Sequence, residues 1–137
     1  MSLAAVWGTG GRRFESCRSD QLLRNFVAAV SDSVGACLCY VSLSAREDAL
    51  AIGRVLVEER LAAAVNIQEG VHSIYRWQGA IEQAPEVLLI AKTRTALVPQ
   101  LTERVVGLHS YQCPAVVAVP ICGGNPDYLA WIEAQTA

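Results

Sequence analysis

Five consecutive residues, Val87-Leu88-Leu89-Ile90-Ala91, are apolar without a polar break and run directly into Lys92. Successive side chains of a β-strand point to opposite faces, so Leu88 and Ile90 share one face while Val87, Leu89 and Ala91 share the other. A sheet with helices on one side only should alternate apolar and polar residues; a strand apolar on both sides needs cover on both. The stretch AVVAVPI at 115–121 has the same two-sided character. At 137 residues the chain has room for one domain. Its last helical segment, with Leu129, Trp131 and Ile132, is too short to cover a whole second face. Hydrophobic residues make up 53% of the chain and charged residues 18%, so the expected cover is further copies of the same chain.

Lys92 shares a face with Leu88 and Ile90 and so sits at the rim of a buried region, where an ammonium wants a carboxylate. Glu82 and Glu86 on the same strand, or Glu69 of a neighbour, are the candidates. Two roles stay open at this point, an interface ion pair and an anion-binding lysine in a cleft between subunits.

The rest of the pattern from Ala36 onward is orderly. ACLCYVSL reads as a short strand. SAREDALAIGRVLVEERL places Ala49, Ile52, Val55 and Leu56 at helical spacing, with Ser44 as the expected cap and Glu47 completing a capping box. AAAVNIQEGVHSIYRW reads as a long bent strand with a bulge or kink at Gly70, and QGAIEQAPEVLLIAKTR returns beside it. TALVPQLTERVVGLH is a second helix, with Thr95 as cap and Pro99 in its first turn. CPAVVAVPI is a fourth strand. GGNPDYLAWIEAQ begins a third helix, Asn125 capping and Pro126 at its first position. The order is βαββαβ plus a terminal helix, which predicts an α+β fold: a four-stranded antiparallel, ferredoxin-like sheet with two helices on one face.

Residues 1–33 do not match this order. GTGGRRFESCRSD carries no helical or strand period, and the segment lacks the apolar core and cleavage site of a secretory signal. DQLLRNFVAAV can form one amphipathic helix. GTGGRRFESCRS looks like translation through a transfer-RNA gene, so native initiation is expected near Val34, with 1–33 a disordered or non-native extension and 34–137 the domain.

No apolar run approaches the ~18–20 residues of a membrane-spanning helix. A net charge of −2 gives no basic footprint for nucleic acid. The five cysteines contain no CxxC pair and read as reduced thiols of a cytoplasmic protein. Nothing pairs a nucleophile with a base at a recognisable spacing, so no catalytic residues and no enzymatic activity are expected. Tyr75 and Trp77 lie together at the hairpin end. They either anchor an interface, as Tyr128 and Trp131 would, or line an intersubunit ligand cleft with Lys92, Tyr111 and Glu86. His72 reads as a solvated or interface residue, and GGNP as a capped turn.

EERLAAAVNI, GVHSIYRWQGAIEQAPEVLLIAKTR, LHSYQCPAVVAVPI and GNPDYLAWI together resemble, in order and spacing, the CutA divalent-cation tolerance proteins over about residues 37–135. The resemblance implies a tight homotrimer shaped like the nitrogen-regulatory PII proteins, its hairpins wrapping neighbours, and a physiological link to copper and other divalent ions. It also implies a copper site, and there the chain departs from the pattern. Val41 stands at the expected cysteine, Leu108 at the first expected histidine and Ala115 at a carboxylate position; Ser110 and Ala64 are further departures. Only His109 remains, with Cys39, two residues from Val41 on the same strand face, as a substitute thiolate for a copper or zinc ion. The expected function is a homotrimeric divalent-ion tolerance protein with a metal at an intersubunit cleft. The alternative is a PII-like sensor or hub that binds a small anion or a protein partner and no metal.

Overall fold

The computed structural model of the protein describes residues 35–137; the 1–33 segment and its amphipathic stretch lie outside them. The elements are β1 (Ala36–Leu43), α1 (Arg46–Glu58), β2 (Ala64–Trp77), β3 (Ala80–Arg94), α2 (Val98–Leu108), β4 (Val116–Pro120) and α3 (Pro126–Gln135). The four strands form one antiparallel sheet in the order β2-β3-β1-β4. Each strand–helix–strand unit thus skips one neighbour, and the two units interleave as the ferredoxin-like reading expects.

One face of the sheet is closed within the chain. Cys37, Cys39, Val41 and Leu43 of β1, with Val87, Leu89 and Ala91 of β3, form a single core with Ala49, Ile52 and Leu56 of α1 and Val98, Leu101 and Val105 of α2. Gly53 lets α1 lie close on the sheet: a Cβ there would stand 2.8 Å from Val65 Cγ2. Cys37 and Cys39 are free and buried, and Cys122 is free and exposed. Cys113 is disulfide-bonded, which corrects the expectation of uniformly reduced thiols.

The helix starts differ in part from expectation. α1 begins after Ala45 with no side-chain cap, because Ser44 stands one residue too early; Glu47 and Asp48 in the first turn face the helix dipole instead. Thr95 opens one turn of 3-10 helix (Thr95–Leu97) rather than capping α2, while a proline does occupy the first turn of α2. Asn125 caps α3 as expected, its Oδ1 accepting from the Asp127 amide at 3.1 Å.

β2 and β3 pair from Ala64↔Lys92 to Trp77↔Ala80, interrupted once between Gln68 and Val71. Gly70 lies in that interruption with φ +80, the bulge its position implied. Gln78 and Gly79 close the hairpin with φ 50 and 80, the two left-handed residues that a two-residue type I′ turn demands. Because β1 pairs with β3 only from Leu43↔Val87 onward, the last seven residues of the arm project beyond the sheet by about 20 Å.

The opposite face carries Leu38, Tyr40 and Ser42 of β1 opposite Lys92, Ile90 and Leu88 of β3, with Val119 and Val117 of β4 beside them. α3 covers one end of it, held by Lys92 and Arg94; Arg94 Nε donates to Thr136 Oγ1 at 3.0 Å and Nη2 to the Thr136 carbonyl at 3.1 Å. The middle stays open: Tyr40 is 40% exposed, Val117 54% and Val119 49%.

Candidate functional site

Most of the predicted site residues fall into two clusters at opposite ends of this outward face. The first gathers at the base of the hairpin arm. The two-residue turn fixes the register, setting Tyr75 opposite Glu82, Ser73 opposite Ala84 and Val71 opposite Glu86, and the bulge beyond Val71 then shifts the pairing so that Gln68 meets Leu88. Glu86 is buried, and both carboxylate oxygens accept hydrogen bonds: Oε1 from Ser73 Oγ at 2.6 Å and Oε2 from the Tyr111 hydroxyl at 3.0 Å. Burial first, and the Glu86 charge second, push the Tyr111 phenol well above its ordinary value, so it remains a donor at neutral pH. Tyr75 packs against Ala84 and Tyr111, and its phenol is likewise pushed up, by burial first and then by Glu82 and Glu86.

His109 closes the cluster from the α2–β4 loop. Its Nε2 lies 2.8 Å from the Ser42 carbonyl, and its Nδ1 lies 3.0 Å from the Tyr111 amide. A carbonyl can only accept and an amide N–H can only donate, so Nε2 carries the proton and Nδ1 supplies the lone pair. The ring is therefore neutral. Burial holds its pKa below the usual histidine value, opposed in part by the Ser42 carbonyl and the Asp48 charge. The ring also packs on Tyr111, centroid to centroid at 4.4 Å.

The second cluster surrounds Lys92. Its Nζ donates to the Tyr128 hydroxyl at 3.1 Å and lies 5.4 Å from that ring's centroid. Tyr128 stacks on Trp131 at 5.5 Å, both rings about two-fifths exposed. Within the chain the expected carboxylate partner is replaced by this phenol: Glu86 is taken by hydroxyl donors, and Glu69 pairs with Arg46 at 3.5 Å. Among the described residues, no ion pair involves Lys92. Six residue steps along β3, about 20 Å, separate it from Glu86.

The structure thus brings together Glu86, Tyr75, Tyr111 and His109, places Lys92 with Tyr128 and Trp131, and sets half-buried Trp77 at the arm's tip. Cys39 joins neither cluster. It points into the helix-covered core, fully buried, and its hydrogen bond to Cys37, reinforced by burial, pushes its thiol far up. Along β1 it is three residues, about 10 Å, from Ser42, whose carbonyl holds His109. No group of three or more His, Cys, Asp or Glu side chains able to hold a metal occurs among the described residues. A neutral imidazole with both nitrogens engaged and a protonated core thiol do not fit a copper or zinc ion.

Two participants escaped the sequence reading. Ser73 was within reach, because counting back from the Gln78–Gly79 turn sets it on the face of Tyr75 and Glu86. The Ser42 carbonyl was not, since nothing in the residue types says which backbone group a loop histidine meets. A separate polar groove of about 440 Å³ between the end of α1 and α2 is lined by Glu59, Gln100, Glu103 and Arg104 and shares no residue with either cluster.

The CutA1 divalent ion tolerance protein family matches residues 37–135. The divalent-cation tolerance protein CutA of Thermus thermophilus is 49% identical over 96 residues, which are 70% of this chain and 93% of that protein. The chloroplastic CutA protein of Arabidopsis thaliana is 42% identical over 106 residues, 77% of this chain but only 58% of that longer protein. A solved structure of the Thermus thermophilus divalent cation tolerance protein superimposes with a TM-score of 0.73 at 46% identity, covering 74% of this chain and 99% of its own. With the family pattern spanning nearly every described element and the fold agreeing with it, this chain belongs to the CutA1 divalent ion tolerance protein family.

Proposed function

We propose that the chain serves in the response to divalent ions as a homotrimer, its subunits meeting over the open middle of the outward sheet face. One observation carries the reading: Tyr40, Val117 and Val119 form an exposed apolar patch on a sheet whose other face packs under two helices. A soluble chain gains from burying such a patch against copies of itself. The projecting arm supports the same reading, since a two-stranded ribbon is marginal in water without something to pack on, and Ile74 and Ile81 on it are 65% and 66% exposed. Assembly would also let the arm of one copy approach the Lys92 end of another. Lys92, Trp77, Tyr75, Tyr111 and Glu86, spread along one chain, would then line a shared cleft. Sedimentation of the full chain, with and without copper, tests the assembly. The expected result is three times the mass of one chain in both conditions; a folded, soluble species of single-chain mass would overturn it.

A second reading concerns what the cleft holds. Lys92 has a phenol but no carboxylate within the described residues, which favours a small anion over a cation there. Calorimetry with inorganic phosphate should show uptake that Lys92→Ala abolishes while the assembled mass stays unchanged. Equal uptake by the variant would remove Lys92 from that role.

A further inference from the structure

We infer that His109 is a positioning residue, a latch that fixes the angle of the hairpin arm, and not a ligand for a divalent ion. The inference holds whether or not the chain assembles. The arm has a hinge at its base: the β2–β3 ladder is interrupted between Gln68 and Val71, and Gly70 there adopts φ +80. Beyond that point β1 no longer supports β3. Glu86, opposite Val71, sits at this hinge, and a continuous run of hydrogen bonds ties it to the body of the sheet. The Ser42 carbonyl holds His109 Nε2–H, His109 Nδ1 holds the Tyr111 amide, and the Tyr111 hydroxyl holds Glu86, which in turn holds Ser73 of β2. Four separate pieces of chain are joined: β1, the α2–β4 loop, β3 and β2. Every member is buried or half-buried, so water competes poorly for these bonds.

The same geometry sets His109 against metal binding. A neutral imidazole has one lone pair, and here it already accepts the Tyr111 amide. An ion could take it only by releasing Tyr111, and with it Glu86 and the arm. Latch and ligand are therefore mutually exclusive uses of one nitrogen.

Substitutions can separate the two bonds of the ring. Asn carries an oxygen where His carries Nδ1, so His109→Asn keeps an acceptor for the Tyr111 amide. Gln reaches the Nε2 position and keeps only the donor to Ser42. Amide hydrogen exchange of the full-length protein, resolved over residues 71–86, reads arm release, and calorimetry with zinc chloride reads ion uptake. His109→Ala, which removes both bonds of the ring, should speed exchange in the arm by at least about tenfold while leaving α1 unchanged, a factor of about two to ten being typical of each buried hydrogen bond. His109→Asn should restore most of the protection and His109→Gln less. Tyr111→Phe, which cuts the run at its other end without disturbing the imidazole, should also release the arm. Zinc uptake should be the same in wild type and His109→Ala. Loss of one zinc per chain on His109→Ala would overturn the inference. So would unchanged arm exchange in both His109→Ala and Tyr111→Phe, or an Asn variant no better protected than Ala. Because exchange is read within one chain, a failed latch is distinguishable from a failed trimer, which the sedimented mass reports.

Discussion

On β1, Cys37, Cys39, Val41 and Leu43 face α1 and α2 and are at most 1% exposed, whereas Tyr40, between two of them in sequence, is 40% exposed on the other side. β4 repeats the contrast: Val116 and Ala118 pack on the inward core, while Val117 and Val119 stand half in water. Val117 and Val119 are as apolar as Val116 and Ala118, so residue type alone does not explain the difference. Cover does. Among the described residues, the inward face receives two helices of 13 and 11 residues along its length, and the outward face receives one of 10 residues at one end and a loop at the other. Apolar character on a strand records what the residue meets in the working molecule, and on the outward face the proposed assembly of subunits is what would supply that meeting.

The largest expected effect breaks or confirms this contrast directly. Leu89 is fully buried on the inward face, and Leu89→Ala should cost about 2–5 kcal/mol through lost burial and the cavity left behind, measured by urea unfolding. Val117→Lys, at a site 54% exposed within the chain, should change the stability of a dissociated chain by no more than about 0.5 kcal/mol. The same substitution should lower the sedimented mass, because an ammonium would have to be buried between subunits. A dissociated Val117→Lys chain as destabilised as the Leu89→Ala chain would mean that the outward face is closed within one copy after all.

Those two positions also show how far the sequence could be read. The period-2 rule separated Leu88 and Ile90 from Val87, Leu89 and Ala91, and Asn125, Pro126 and Gly70 announced a cap, a helix start and a bulge through their own backbone chemistry. The strand order followed from the βαββαβ pattern. What failed was local competition near helix starts. Ser44 and Thr95 are good caps by type, yet the chain enters α1 at Ala45 and reaches α2 through a 3-10 turn. The candidate site was legible as a set of residues but not as an arrangement. Lys92 reads as a cation seeking a carboxylate, and only the placement of α3 reveals the Tyr128 hydroxyl that meets it. Gly53 was silent too, because a glycine inside a helical stripe looks like a simple loss of propensity until the sheet beneath it is in view.

Gly53 supplies the next effect in size and sharpens the account of the inward face. An alanine methyl there would stand 2.8 Å from Val65 Cγ2 and 3.5 Å from Leu89 Cδ1, and a β-branched valine on a strand has little freedom to turn away. Overpacking outweighs the gain in helix propensity, for a net loss of about 1–2 kcal/mol in Gly53→Ala. Adding Val65→Ala should recover part of that loss, a non-additivity expected of atoms in contact. A Gly53→Ala protein more stable than wild type would mean that α1 can lift from the sheet without cost, and that the inward face is less tightly closed than the outward face is open.

The smallest effect tells the faces apart by pH. The inward face holds thiols and aliphatic groups, and Cys39 stays protonated because its bond to Cys37 and its burial push its pKa up. The covered end of the outward face depends on His109, whose folded pKa is depressed by burial. A depressed histidine binds fewer protons folded than unfolded. Its contribution is therefore fully present above the unfolded value of about 6.5 and is lost as pH falls through that value toward the folded one. One proton limits the slope to about 1.4 kcal/mol per pH unit, and protonation of Nδ1 would remove the acceptor that Tyr111 uses. Unfolding free energies measured from pH 7.5 to 5 should fall in wild type and fall less in His109→Asn, which cannot titrate yet keeps the loop in place. Identical slopes in the two proteins would assign the acid sensitivity to other groups and leave His109 without a measurable share in holding the arm.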